Sequence, residues 1–242
     1  MTSTFTELNI INNSLNNIKT SLINKNLAPT GDITTYATAI NNYTIFIGIN
    51  REVDANGVYQ APTTSFTFSL PSNATNLGNY ALENAFYYCT GLTSVDLSSL
   101  TTISGSYGLG SAFQGCTGLT SVDLSSLTTI SGSNAFYKAF ANCTGLTSVD
   151  LSSLTTISGS GALQNAFYFS AGLKNNSISF PSLTSTSFGS YTNQFNSMLQ
   201  GVTGCTVHFP SNLQSVIGSW SDVVAGFGGT STTVLFDLTA TT

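Results

Sequence analysis

Three aspartates at a constant spacing are the residues of this chain whose type and pattern could do chemistry. Asp96, Asp123 and Asp150 are equally spaced, and each stands in the same tripeptide, Val-Asp-Leu. If each tripeptide lies in the middle of a short strand with its apolar side chains in the core, the carboxylates point outward from neighbouring strands. Such carboxylates repel one another unless water screens them or a cation bridges them. The pattern predicts a solvated polar face, and leaves open a row of ligand contacts or a calcium-bridged ladder.

The cysteines recur at the same spacing as the aspartates. They are Cys89, Cys116 and Cys143, and Ser170 stands at the fourth position of the series. In a stacked repeat these side chains lie about 5 Å apart, a distance at which thiols can pair or ligate a metal. The serine and the lack of a Cys-x-x-Cys motif favour small, buried, reduced side chains instead, so no metal site is assigned. Cys205 lies outside this spacing and has no assigned role.

No catalytic arrangement is visible in the sequence. The single histidine, His208, lies in the predicted strand Val-His-Phe and is interpreted as an outward strand residue rather than a general base. A nucleophile–base pair, a phosphate-binding glycine loop and a His-Glu-x-x-His motif are all missing. We therefore predict that the protein is not an enzyme and uses no cofactor. A glycan-active enzyme is a remote alternative, because paired catalytic carboxylates are not recognisable.

The aspartates and cysteines belong to a repeat. The sequence CTGLTSVDLSSLTTISGS occurs without change at residues 89–106, 116–133 and 143–160. Related strand sequences extend the pattern to six units, which begin near residues 66, 94, 121, 148, 177 and 206. Repeats of this length predict a solenoid, in which each unit buries its apolar face only against its neighbours.

Each unit has the pattern of one coil. Its Val-Asp-Leu strand is followed by a Ser/Thr-rich arc with Leu100 and Ile103 turned inward, and then by a Ser-Gly-Ser turn. The pattern Ala-Phe-x-x-Cys-x-x-Leu that follows predicts a short helical turn that closes the coil.

The segments that differ between units come directly after Ser-Gly-Ser, at residues 107–111, 134–138 and 161–165. Identical cores with different loops are typical of a binding edge, although unselected drift would leave the same pattern. Tyr107, Tyr137 and Lys138 are therefore candidate ligand-facing residues, together with the three aspartates.

The pattern AFxxCTGLTSVDLSSLTTI resembles the BspA-like class of leucine-rich repeats over about residues 60–220. The resemblance implies a right-handed solenoid with a parallel sheet along one side. It also implies adhesion or partner binding, and it brings no catalytic residues. This chain is rich in serine, threonine and glycine where the family often carries charges, so the type of ligand stays open.

The charge composition narrows the choice of partners. Charged residues make up 6% of the chain, with five basic against ten acidic residues, whereas about a quarter is typical. So few basic residues argue against nucleic acid, and no apolar run is long enough to insert into a membrane. The N-terminal sequence does not have the pattern of a signal peptide, which favours a protein that leaves its cell by lysis, as part of a virion.

Residues 1–48 are predicted to form a small helical module. A stripe of apolar residues follows heptad spacing and comprises Leu8, Ile11, Leu15, Ile18 and Leu22. Asp32 is placed to cap a second helix. The pattern IxxxLIxKxL followed by Gly-Asp resembles an N-terminal segment of phage tail and adhesion proteins. The stripe either caps the first coil or drives self-association. In the second case, alternating leucine and isoleucine favours three or four strands, with a homotrimer preferred.

The remaining chain divides into two predicted parts. Residues 49–230 form the solenoid, which is entered through a strand, a turn at Asn56-Gly57 and a returning strand, and residues 231–242 add a closing strand.

From these features we predict a virion-associated structural or adhesion protein, as in a phage fibre, tail or capsid decoration, assembled in the host cytoplasm. Its expected partners are a protein or glycan on a host surface, or other virion proteins. A bacterial cell-surface adhesin is the alternative.

Overall fold

The computed structural model describes residues 52–53, 59–60, 65–70, 72–184, 187–188 and 193–239. The predicted helical module at residues 1–48, with its apolar stripe, lies outside the described residues. The predicted boundaries of the three parts of the chain stay predictions.

The described strands are short. In chain order they are β1 (Glu52–Val53), β2 (Tyr59–Gln60), β3 (Phe66–Ser69), β4 (Asn76–Leu77), β5 (Leu92–Asp96), β6 (Thr102–Ile103), β7 (Ser121–Asp123), β8 (Thr129–Ile130), β9 (Ser148–Val149), β10 (Thr156–Ile157), β11 (Ser177–Ser179), β12 (Thr206–Pro210) and β13 (Thr233–Leu238). β1 and β2 pair antiparallel, which confirms the predicted pairing of the entry hairpin. The strands of the other sheets pair in parallel.

The Val-Asp-Leu strands stack as the repeat predicts. β3, β5, β7 and β9 form a four-stranded sheet, and β11, β12 and β13 form a three-stranded sheet. Valine lies opposite valine in neighbouring coils, as Val95 does with Val122. The first six of these strands begin at or within two residues of the predicted positions, which confirms a parallel β-solenoid. The sheet is not continuous, however, since hydrogen-bonded pairing is interrupted between β9 and β11.

A second parallel sheet was not predicted. β4, β6, β8 and β10 stack along the arc that the sequence analysis assigned to serine and threonine. Each strand contributes a single apolar residue to the core, such as Ile103 or Ile130, and both are fully buried. Strands of two residues are too short to produce an alternating pattern, so periodicity could not reveal this sheet. The expectation of a sheet on one side only is therefore incomplete.

The predicted helical turn is wrong for these coils. In residues 107–115 alternate N–H groups donate to the next coil, for example Leu109 to the Ala135 oxygen at 2.8 Å. The intervening N–H groups close turns within the coil; for example, the Ala112 N–H donates to the Leu109 oxygen at 3.0 Å. Tyr107, a residue of this stretch, has a positive φ of 53°, which no α-helix contains. The apolar positions were predicted correctly, but their backbone bonds join coils rather than the turns of a helix.

A column of stacked phenylalanines fills the centre of the solenoid behind this stretch. The ring centroids of Phe86 and Phe113 are 5.1 Å apart, those of Phe113 and Phe140 are 5.2 Å apart, and those of Phe140 and Phe167 are 5.8 Å apart. All of these rings are buried. The repeat thus places one large apolar side chain per coil directly over the next.

Glycine occupies the middle of Ser-Gly-Ser because the backbones of successive coils approach closely there. A Cβ atom on Gly132 would lie 2.0 Å from the Gly105 oxygen, and one on Gly159 would lie 2.1 Å from the Gly132 oxygen. Real Cβ atoms are not found at such distances, so this column requires residues without a side chain.

The C-terminal coils depart from the regular repeat. Short 3₁₀ helices lie at Ala171–Leu173, Ser211–Leu213 and Gly226–Gly228, and the helices α1 (Gln214–Ile217) and α2 (Ser221–Val224) follow β12. The predicted closing strand is present as β13, which continues the parallel sheet by pairing Thr233 with Thr206. Nowhere in the described part of the chain does a helix reach the length and apolar character that crossing a membrane requires.

Candidate functional site

The three aspartates lie at the outer end of their strands. Asp96 and Asp123 are the last residues of β5 and β7, and Asp150 directly follows β9, so the predicted place in the middle of each strand is wrong. All three are exposed, as expected. Asp96 and Asp123 are direct neighbours in the register of the sheet.

Each carboxylate accepts a hydrogen bond from its own chain. The N–H groups of Ser98, Ser125 and Ser152 each donate to the aspartate two residues earlier, at 2.9 Å in all three coils. An aspartate that binds the backbone two residues further on stabilises a turn. The repeated aspartate therefore has a local structural role: it fixes the bend by which the chain leaves the sheet.

At Asp96 and Asp150, hydrogen bonds from serine favour the ionised carboxylate. The hydroxyl and N–H of Ser98, together with the Ser69 hydroxyl, lower the pKa of Asp96, and the hydroxyl and N–H of Ser152 lower the pKa of Asp150. A carboxyl with a lowered folded-state pKa stabilises the fold above its unfolded pKa, and this contribution is lost as the pH falls through the folded pKa.

The sheet face around the aspartates is an open, shallow depression. It is lined by serine, valine and aspartate residues of β5 and β7, with Ser125 and Asp150. Among the described residues, no three His, Cys, Asp or Glu side chains come together in an arrangement that could hold a metal ion. The carboxylates are occupied by turn hydrogen bonds rather than converged on a point, which leaves the calcium-bridged ladder without support in this geometry.

The other candidate residues come together in the stretch that closes each coil. Tyr107 and Tyr137 lie edge to face, with ring centroids 5.8 Å apart and planes at 76°. The Lys138 ammonium lies 5.2 Å from the centroid of the Tyr137 ring, a cation–π contact. Asn134 donates its Nδ2 hydrogen to the Tyr107 hydroxyl at 3.2 Å. The aspartates lie at strand ends in another part of the coil, so the residues predicted as one ligand-facing set belong to two separate surfaces.

Further aromatic residues in this stretch were missed by the sequence analysis. Tyr80 stacks on Tyr107 with centroids 5.8 Å apart and planes at 8°. Tyr80 is 56% exposed, and Tyr87, Tyr88 and Phe169 are also exposed. All of them occupy the coil-closing segments at residues 80–88 and 161–169, at equivalent positions to the variable residues of the other coils. The signal that could have found them was an alignment that includes residues 80–88 and extends over the full length of every coil-closing segment.

His208 is an outward strand residue, as predicted. Its Nδ1 lies 2.9 Å from Oδ1 and 3.0 Å from Oδ2 of Asp237 on the neighbouring β13. The imidazole is partly exposed, and this pair links the last two strands of the sheet. Nothing in the described surroundings adds a nucleophile to it, so the pair is a cross-strand contact.

The cysteine column is buried and contains no disulfide, as predicted. The Cys116 thiol donates to the Phe86 oxygen and the Cys143 thiol donates to the Phe113 oxygen, both at 3.0 Å. Ser170 makes the equivalent bond to the Phe140 oxygen, which explains why serine can replace cysteine in the fourth coil. All four cysteines, Cys205 included, are buried and form no disulfide.

We predict that these thiols resist alkylation in the folded protein. Burial raises the pKa of Cys143 to about 12 and that of Cys205 to about 11, and it also raises the pKa of Cys116. Because the thiolate is the reactive form, iodoacetamide at pH 8 should leave these thiols unmodified until urea unfolds the chain. Intact-mass spectra before and after unfolding measure this. Rapid modification of the native protein, or a disulfide within the column, would contradict the assignment.

Comparison with known families agrees with the repeat. The pattern of the BspA type leucine rich repeat region matches residues 54–194 and 137–219, in six copies. No curated protein and no solved structure matches the chain.

Proposed function

The chain belongs to the BspA-type leucine-rich repeat family. We propose that it is a binding protein of a virion, whose solenoid presents a surface to a protein or glycan of a host. The solenoid is right-handed in this proposal, as the family resemblance implies. It acts by contact alone, with no reaction and no cofactor. Solenoids of stacked repeats commonly serve as extended binding surfaces.

The observation that carries this proposal is the exposure of aromatic side chains on a rigid scaffold. Tyr80, Tyr87, Tyr88 and Phe169 are between 40% and 56% exposed on one part of the coils. Tyr80 contacts Tyr107 and Tyr87 contacts Tyr88, with ring centroids 5.8 and 4.6 Å apart. Contiguous exposed aromatic surface of this kind is typical of interaction sites, since leaving it in water is unfavourable unless a partner covers it. The backbone beneath these residues is fixed by hydrogen bonds between coils, so a partner meets a preformed surface.

The N-terminal residues supply the attachment in this proposal. Residues 1–48, for which the sequence predicts a helical module, are proposed to associate with copies of the chain or to dock on a particle through their stripe of leucines and isoleucines. A helix rich in asparagine, serine and threonine has little stability of its own and needs its apolar stripe to be buried. A trimer places three solenoids at one end of a fibre or spike.

We predict that replacing Ile11, Leu15 and Ile18 by asparagine abolishes self-association. The parent should have about three times the 25.3 kDa mass of the chain by light scattering, and the variant the mass of one chain. Replacing Asn12, Asn13 and Asn16 by serine, at polar positions of the same segment, should leave the mass unchanged. Deletion of residues 1–48 should have the same effect as the stripe variant.

If the stripe variant keeps the parent's mass, the module does not self-associate, and incorporation into particles decides whether it docks. Mass spectrometry and electron microscopy of purified particles measure this. If the protein is absent from every particle, the virion assignment is overturned and a bacterial cell-surface adhesin is favoured. In that case cell fractionation should find the protein on the envelope.

A further inference from the structure

Among the three coils that share the identical residues 89–106, 116–133 and 143–160, the sequence differences are confined to the segments that close each coil. The coil-closing segments 80–88, 107–115, 134–142 and 161–169 share their inward residues. Alanine recurs at Ala85, Ala112, Ala139 and Ala166, phenylalanine directly after it, and leucine or phenylalanine at the third position before each alanine, all buried. The second position of each segment holds a small residue, namely Ala81, Gly108, Ala135 or Ala162, and we call the remaining five positions the turn face. They are 80, 83, 84, 87 and 88 in the first segment and the equivalent positions in the other segments.

The turn face differs from coil to coil. Its first position holds Tyr80, Tyr107, Asn134 and Gly161, and its last holds Tyr88, Gly115, Asn142 and Phe169. The middle position is asparagine, serine, lysine and asparagine in successive coils.

Unselected drift does not account for this difference. Thr90, Thr117 and Thr144 are exposed in three coils and identical. Exposed residues that support no core tolerate substitution with small effects on stability. Drift would therefore have altered them as often as the turn face. Diversity restricted to one outer face of a uniform scaffold is what a recognition surface requires.

We propose that the turn face is the recognition surface of this protein and that its partner is a folded protein. The inference rests on the proposed binding function and adds the face and the partner class to it. The positions of the turn face that are exposed or half-buried include six tyrosines and four asparagines, whereas its three glycines are buried. These tyrosines are more than half of the ten in the chain. Tyrosine, asparagine, serine and glycine dominate the protein-binding loops of antibodies, because tyrosine offers large amphipathic contact area at a low cost in side-chain entropy.

The charge of the turn face argues for a protein over a charged polymer. Glu83 and Lys138 are its charged residues, and they have opposite signs. Lys138 is also engaged over the Tyr137 ring. A surface without clustered positive charge cannot neutralise phosphates, so binding by this face should depend little on salt.

The ring geometry argues for a protein over a glycan. A sugar ring packs on an open aromatic face, but the Tyr80 and Tyr107 rings lie on each other at 8°, and the Tyr137 ring meets Tyr107 by its edge. The Tyr88 ring covers Gly115, whose Cβ would lie 2.8 Å from it. These rings give a packed surface with hydroxyl groups on it, and such surfaces form the centres of protein interfaces.

The experiment measures binding of the fluorescently labelled full chain to intact cells of a panel of bacterial strains. Each strain is used untreated, after protease digestion of its surface proteins, and after periodate oxidation of its surface glycans. The turn-face variant carries Tyr80→Ser, Tyr107→Ser and Tyr137→Ser. A second turn-face variant replaces residues 134–142 by the sequence of residues 107–115, which suits the core of a neighbouring coil. The control variant carries Asp96→Asn, Asp123→Asn and Asp150→Asn on the sheet face and retains the oxygen that accepts each turn hydrogen bond.

We expect protease to abolish binding and periodate to leave it unchanged. Both turn-face variants, when their thermal unfolding shows a cooperative transition, should bind about tenfold more weakly or worse, as loss of central tyrosines does in protein interfaces. The control should bind like the parent. If one turn-face variant does not fold, the binding of the other variant tests whether the turn face is the recognition surface.

Other outcomes contradict separate parts of the proposal: the partner class, the recognition face or the binding function. Binding abolished by periodate but not by protease makes the partner a glycan. Binding lost in the aspartate variant and kept in both turn-face variants moves recognition to the sheet face, while the binding function stands. Binding to no strain in the panel removes support for host adhesion itself and, with it, for the inference.

Discussion

Phe140→Ala lowers the free energy of unfolding by about 3–5 kcal/mol, the range found when a buried phenylalanine is truncated. The Phe140 ring is fully buried between those of Phe113 and Phe167, with centroid distances of 5.2 and 5.8 Å. A tilted contact with Phe136 at 6.3 Å adds to these. Neighbouring coils cannot collapse into the space left behind, because hydrogen bonds between coils fix their spacing. Urea denaturation followed by circular dichroism measures the loss.

Phe169→Ala is the matched control for this change. Phe169, like Phe140, lies in a segment that closes a coil, but its side chain is 47% exposed. Its ring covers Gly201 rather than lying in the central column. Its truncation should cost about 1 kcal/mol or less, because little apolar area returns to water. Equal costs at the two positions would contradict the assignment of the central column.

The repeat made most of the fold predictable. An identical segment with constant spacing fixes which residues recur at each level of a stack, so the buried valines, leucines, phenylalanines and cysteines could be identified without coordinates. The register of the repeat also returned in β13, where Thr233 pairs with Thr206 after two longer coils. Registers of this kind are visible because each unit must present the same face to the next.

The backbone of the coil-closing stretch could not be predicted in this way. Spacings of three and four between Ala112, Phe113 and Cys116 are shared by a helix and by the turns found here, since both place such residues on one side. What distinguishes them is the destination of alternate N–H groups, which in this structure is the neighbouring coil. The sequence of a single unit does not show which carbonyl groups accept these hydrogen bonds, because the acceptors lie in the neighbouring coil.

The candidate site was predictable in its residues but not in their grouping. The sequence identified Asp96, Tyr107 and Tyr137 as outward, and the structure places all three at least partly exposed. It did not reveal that the aspartates are used in local turns, because the bond from the Ser98 N–H to Asp96 depends on the bend after β5. The sequence also did not reveal that Tyr80 packs on Tyr107 and so joins the contact between Tyr107 and Tyr137, because this contact depends on the stacking of the first coil on the second.

Gly132→Ala is expected to destabilise the protein by about 3 kcal/mol or more, at or above the upper end of typical overpacking costs. The new Cβ would lie 2.0 Å from the Gly105 oxygen and 2.5 Å from its carbonyl carbon, both backbone atoms that no rotamer change can move. Relief requires the coils to separate, which weakens the bonds that the N–H groups of Ser131 and Gly132 donate to the Ile103 oxygen at 3.0 and 3.1 Å.

Gly78→Ala tests the same substitution in the same column with the opposite expectation. Gly78 lies beneath Gly105 at the first level of the column, and a Cβ built on it meets no atom of the described residues within 4 Å. With no clash to relieve, alanine reduces the entropy of the unfolded chain, so this variant should be neutral or more stable by about 0.4–1 kcal/mol. Urea denaturation of both variants measures the contrast. If Gly132→Ala unfolds at the same urea concentration as Gly78→Ala, the coils are not in backbone contact at this column, and the close approach that requires glycine there is wrong.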